Sequence, residues 1–204
     1  MSATLTDEIA AAAARLVVEE GMEYGPAKRR AARVLGRAAV RPADLPSNEQ
    51  LEDEVRDYLR LFCADTQPRE LATLRGIALT WMQRLAAFRP HLSGAVWRGT
   101  ATRLNDIHIE LYCDDSKAAE LALIDQRVDY EVGSRPSPRG GEPVDVLSLT
   151  QRCDELGGSV GVHLTVLDHD DVRGALKPDA GGRSQRGDLG ALRQLIASTA
   201  EGAR

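Results

Sequence analysis

Residues 106–110 read Asp-Ile-His-Ile-Glu, and strict alternation puts Asp106, His108 and Glu110 on one side of an extended segment. Carboxylates at such spacing suit hard cations such as magnesium, whereas imidazole with carboxylate suits zinc, manganese or iron. A second imidazole, His163, lies in another alternating segment, residues 160–167. If the two segments are neighbouring strands, Asp106, His108 and His163 form a candidate metal-ligating group. The competing and favoured reading is a polar strand face turned to solvent or covered by a loop, because half-buried strands carry their polar residues outward.

Just upstream, residues 93–100 read Ser-Gly-Ala-Val-Trp-Arg-Gly-Thr. Two glycines five residues apart suit a tight strand-to-helix turn, since glycine adopts positive φ without steric cost. The same turn, with Ser93, Gly94, Arg98, Gly99 and Thr100, is a candidate nucleotide-binding segment, and Arg98 and Arg103 can assist a phosphate electrostatically. Plain turn chemistry and solvated arginines are the ordinary alternative. Trp97 within this segment either stacks on a base or packs in the core, with packing the stronger expectation.

The stretch from Gly94 to Glu110 resembles the signature of the polymerase-β-like nucleotidyltransferase superfamily, especially its small bacterial members. The family pattern G-S-x-x-x-G-x-A, then S-D-I-D, is matched at Gly94, Arg98, Gly99, Thr100, Ala101, Asn105, Asp106 and Ile107. The resemblance spans about residues 70–170. It implies a short strand before the glycine turn, then a helix, then a strand carrying metal-binding carboxylates, with magnesium or manganese as the ions and a nucleoside triphosphate as ligand. Three departures stand out: Ala95 replaces the family serine, His108 replaces the second Asp, and the strand expected to supply the third carboxylate offers His163 and Thr165 instead. Two-metal transfer needs ions bridged between attacking oxygen, phosphate and leaving group. Glu110 shares the Asp106 face but is displaced by a further ~6–7 Å along the strand. The expectation is therefore a degenerate member.

The elements that must position these residues are legible in part. Residues 1–68 read as a helical N-terminal region: a first helix with Thr6 as N-cap and Gly21 as its stop, a second from Gly25-Pro26 to about Gly36, and a third capped by Ser47. The third aligns Leu51, Val55, Tyr58, Leu59 and Phe62 on one face. Residues 69–204 read as a nucleotidyltransferase-like α+β domain. A fourth helix aligns Leu71, Leu74, Ile77, Ala78, Trp81, Leu85 and Phe88 and stops at Arg89-Pro90. Strands are expected at 106–113, 128–132, 144–149 and 160–167, short helices at 116–126 and 188–199, and a Gly/Arg-rich loop at 178–188. Helices first, then strands mixed with short helices, is an α+β arrangement: an N-terminal helical bundle, then a small mixed sheet with flanking helices.

Composition narrows the partners. The 204 residues carry a net charge of −5, which argues weakly against a dedicated DNA-coating protein. The basic run Lys28, Arg29, Arg30, Arg33, Arg37 and Arg41, in helix 26–41, is a candidate surface for nucleic acid or an acidic protein partner, with a solvated helix face the ordinary alternative. Three separated cysteines with no C-x-x-C pair indicate neither a zinc site nor a redox motif. No leader pattern or membrane-spanning stretch is read, so a cytoplasmic protein without a membrane partner is expected. No G-x-x-x-x-G-K-[ST] loop and no G-x-S-x-G elbow occurs. The leading reading is a nucleotidyltransferase-fold protein that binds a nucleotide, nucleic acid or protein partner with little or no two-metal catalysis. Two alternatives stay open. One is an atypical enzyme moving NMP from an NTP to RNA, protein or a small molecule, with Asp106, His108 and Glu110 catalytic. The other is a noncatalytic helical interaction protein.

Overall fold

The computed structural model describes residues 4–36, 41, 44–137, 140–172 and 182–202. The chain divides into two compact units, residues 1–69 with 100–104, and residues 70–99 with 105–204.

The first unit contains α1 (Leu5–Glu20), α2 (Tyr24–Val34) and α3 (Asn48–Phe62). α1 starts at Thr4, not Thr6: the Thr4 hydroxyl accepts from the Asp7 amide while the Asp7 carboxylate accepts from the Thr4 amide. This reciprocal box satisfies two amides that a Thr6 cap would leave open. Gly21 ends α1 at φ 67°, and a Cβ there would stand 3.0 Å from the Leu104 carbonyl oxygen, so both conformation and space require glycine. α3 has a second box, built by Ser47 and Gln50. Ile9, Ala13, Val17, Ala27, Ala31, Leu51, Val55 and Leu59 form one apolar core. Each large side chain in it contributes roughly 1.5–3 kcal/mol on burial. Phe62 departs from the expected stripe: it is 69% exposed, stacked at a tilt on the Tyr58 ring at 4.6 Å. It is the last residue of α3, a full turn beyond Leu59, where the helix has run past its core.

α4 (Gln67–Arg84) contains the unit boundary and carries Leu74, Ala78, Trp81 and Met82 into the second unit's core. A short 3-10 turn, Ala86–Phe88, and Arg89 at φ 46° then redirect the chain. The remaining elements are β1 (His91–Ser93), α5 (Gly94–Arg98), β2 (Ile107–Cys113), α6 (Ser116–Asp125), β3 (Glu131–Arg135), β4 (Val144–Cys153), β5 (Gly158–Asp168), β6 (Arg186–Asp188) and α7 (Leu189–Gly202). The six strands among the described residues make one mixed sheet in the order β3-β4-β5-β2-β1-β6. Among the described residues only the β2–β5 pair is parallel. The chain is thus α+β, helices preceding a mixed sheet.

Side-chain alternation separates the two sheet faces. On one, Leu147, Leu164, Ile109 and Leu92 are successive cross-strand partners and all are buried. On the other, a polar row crosses the entire sheet, one residue per strand: Glu131, Ser148, His163, His108, Ser93 and Arg186. The candidate residues stand on this second face.

Candidate functional site

β2 and β5 run side by side in the register His108↔His163 and Glu110↔Thr165. The two imidazoles stack, ring centres 5.1 Å apart and planes 22° from parallel. Asp106 sits one residue before β2 and its carboxylate is held from two sides. Oδ1 accepts from the Gly161 amide at 3.1 Å, and Oδ2 lies 3.1 Å from His163 Nε2. Glycine at 161 leaves the carboxylate this place, because a Cβ there would fall 2.6 Å from Asp106 Oδ1 and push it aside. On its other side, His163 Nδ1 lies 2.9 Å from the Ser148 hydroxyl. A carboxylate only accepts, so Asp106 fixes the proton on Nε2 and leaves Nδ1 to accept from Ser148. Asp106, His163 and Ser148 are therefore one hydrogen-bonded chain across β5 and β4.

Ser93, Gly94 and His108 meet at the near end of the row. Gly94 adopts φ 71°, its Cβ position 3.4 Å from His108 Cδ2, and Ser93 donates to the His108 carbonyl at 3.4 Å. The turn after β1 is thus seated against the His108 imidazole. α5 is fixed from below by Arg75 of α4, whose guanidinium is buried and donates to the carbonyls of Val96 at 3.2 Å and Trp97 at 3.4 Å. Burial pushes the Arg75 pKa down. Gly99, at φ 82°, ends α5 beside that guanidinium. Arg98 closes α5 half-buried. Thr100 belongs to the first unit, is 2% exposed, and its hydroxyl has no hydrogen-bond partner among the described residues.

Glu110 is not part of the Asp106 group. They stand four positions apart along the extended segment, about 13 Å. Glu110 is buried, pairs with Arg186 of β6, and accepts from the Tyr112 hydroxyl at 2.7 Å. Arg186 also donates to the Tyr112 oxygen at 3.1 Å. Burial, and then the hydrogen bond to Glu110, push the Tyr112 phenol above its ordinary range. Burial alone would lower the Arg186 pKa, but the Glu110 charge and the contacts to Tyr112 together outweigh it and hold the guanidinium above its usual value.

No protein-family model and no curated protein matches this chain. The site stands on its own geometry. Among the described residues, no three His, Cys, Asp or Glu side chains are grouped to hold a metal ion. Asp106 and Glu110 do not converge, and both His163 ring nitrogens face protein partners. This donor set does not fit a pair of bridged magnesium ions, which asks for several carboxylates around one point.

Other sequence candidates are placed as follows. In the basic run, Lys28 donates to the Pro46 carbonyl at 2.8 Å and to Asn48 at 2.7 Å, Arg30 pairs with Glu20, and Arg41 pairs with Asp44 at 2.9 Å. Arg37 lies outside the described residues. Trp97 packs its ring on Gly187 and donates to the Ser184 carbonyl at 2.8 Å. Asp168 caps the following turn, accepting from the Asp170 amide at 2.8 Å. Cys63, Cys113 and Cys153 are free thiols. No helix among the described residues is long and apolar enough to cross a membrane. Ser148, Arg186 and Arg75 were not singled out by sequence. Only Ser148 left a signal there, as the polar residue in the alternation of Val144, Val146 and Ser148.

Proposed function

We propose that the chain is a degenerate nucleotidyltransferase-like protein that binds a nucleotide on the polar sheet face, at the Ser93–Gly94–His108 corner, with little or no ordinary two-metal transfer. The observation that carries this reading is the seating of the left-handed Gly94 turn against the half-buried His108 imidazole. This contact holds the turn in place, and the stacked imidazoles beside it offer flat polar surface. The separation of the carboxylates supports the second half of the reading: Asp106 is engaged by His163 and Gly161, and Glu110 is neutralised by Arg186.

Calorimetric titration with nucleoside triphosphates, with and without magnesium or manganese, tests this directly. The expected result is saturable binding that weakens in His108→Ala and Asp106→Ala, with no NMP transferred to RNA, protein or small-molecule acceptors. Absence of binding to every nucleotide would sink the proposal.

A further inference from the structure

The Ser148–His163–Asp106 chain has the three parts of an activated nucleophile: a hydroxyl, a base within hydrogen-bond reach, and a group that orients the base. The distances are 2.9 Å from Ser148 Oγ to His163 Nδ1 and 3.1 Å from His163 Nε2 to Asp106 Oδ2. Relative to the serine-protease arrangement the two ring nitrogens are exchanged, with the serine on Nδ1 and the carboxylate on Nε2. The roles survive this exchange, because each nitrogen has one partner of the required kind. All three positions are reachable: Ser148 and His163 are half-buried and Asp106 is exposed. The chain is also built rather than incidental. Direct cross-strand pairing sets Ser148 beside His163, and the Gly161 amide fixes the carboxylate that holds the ring. The missing G-x-S-x-G elbow does not bear on it, since such relays are recognised by geometry and not by sequence position.

We infer that Ser148 is a nucleophile toward activated acyl esters, with His163 as its general base and Asp106 as the residue positioning that base. This activity needs neither metal nor nucleotide and is independent of the reading above. In the forward step, Ser148 Oγ bonds to the acyl carbon and its proton passes to His163 Nδ1. The ester C–O bond breaks, and the departing alkoxide takes that proton and leaves as the alcohol. Water then attacks the acyl-serine, giving its proton to His163, which returns it to Ser148 as the acid leaves. A neutral acyl carbon is favoured over an anionic phosphoryl group because the chain ends in a carboxylate. β4 is paired on both sides, so its backbone amides are engaged in the sheet and furnish no oxyanion hole at Ser148. One lost oxyanion donor costs roughly 10²–10³ in rate, so turnover is slow and needs good leaving groups such as aryl alcohols.

The test uses the full chain with diisopropyl fluorophosphate in chelator, followed by peptide mass mapping. Ser148 Oγ displaces fluoride and forms a stable phosphoester. The expected result is a single adduct on the Ser148 peptide, absent in Ser148→Ala and formed roughly 10²-fold more slowly in His163→Gln. Asp106→Asn, whose amide can donate to Nε2 and so mis-set the tautomer, is expected to slow it about tenfold. Thermal melts establish that each variant is folded. Because loss of label in a damaged sheet would be uninformative, Ser148→Cys is read with iodoacetamide: alkylation at position 148 must fall when His163→Gln is added. An adduct confined to other residues, no adduct at all, or Ser148 labelling and Cys alkylation that ignore His163 overturns the inference.

Discussion

Arg186 on β6 reaches past β1 to pair with Glu110 on β2, inside the sheet's polar side. The Glu110 side chain is 6% exposed and that of Arg186 25%, so neither charge has water as a ready substitute partner. Removing one partner of such a pair strands the other. Glu110→Ala is expected to lower stability by about 3–5 kcal/mol, whereas Glu110→Met with Arg186→Met is expected to lose far less. Urea unfolding of the two variants checks this. Equal losses would mean that the pair's shape, not its charge, is what the fold requires.

Two glycines make sharply different steric predictions. Gly187 faces the Trp97 ring, whose atoms come within 2.1–2.6 Å of a Cβ built there. A rigid ring cannot yield as a flexible chain end does. Gly187→Ala is expected to cost about 1–3 kcal/mol and to change Trp97 emission. At Gly161 the obstacle is the exposed Asp106 carboxylate, which can swing into solvent. Gly161→Ala is expected to cost less than about 1 kcal/mol while breaking the contact to His163, visible as a change in the His163 ring nitrogen shifts by NMR.

Alkaline stability follows from Tyr112. Its phenol is held above the ordinary value of 10.0, by burial first and then by Glu110. As pH rises past about 10, the unfolded chain releases this proton while the folded chain keeps it. The stabilisation is complete below that pH and declines above it. The wild type should therefore lose stability from pH 10 upward more steeply than Tyr112→Phe, measured as denaturation midpoints across pH 8–11.

Cys113 is predicted to be the sluggish thiol. Burial pushes its pKa up, and Asp115, Asp114 and Asp168 add in the same direction. Less thiolate at neutral pH means slower attack on electrophiles. Iodoacetamide should modify Cys113 slowly at pH 7.5, and Asp114→Asn with Asp168→Asn should speed it. An unchanged rate in that double variant would remove the electrostatic part of the explanation.

What the sequence showed depends on how many turns or alternations an element contains. α4 has several turns of apolar spacing, and β2 and β5 have enough alternations for one buried and one polar face, so all three were legible. β6 has three residues and no period to detect, and it fell within an expected loop. β3 was expected at 128–132 but runs Glu131–Arg135. Val128 still donates to the Leu123 carbonyl at the end of α6, and all five β3 residues are exposed, so no burial pattern marks them. The site was half legible for the same reason. Asp106, His108 and His163 sit on strongly alternating strands, whereas the partner that completes their chain, Ser148, is fixed only by the β4–β5 register.

The polar row draws one residue from each of six strands, and no two of them are near neighbours in the sequence. A one-residue slip of any strand would replace its member with a residue from the opposite face. The face is therefore complete only when all six strands are in register. Any ligand it holds would act as a clamp on the whole sheet, slowing amide exchange as far away as β3 and β6, at the two edges.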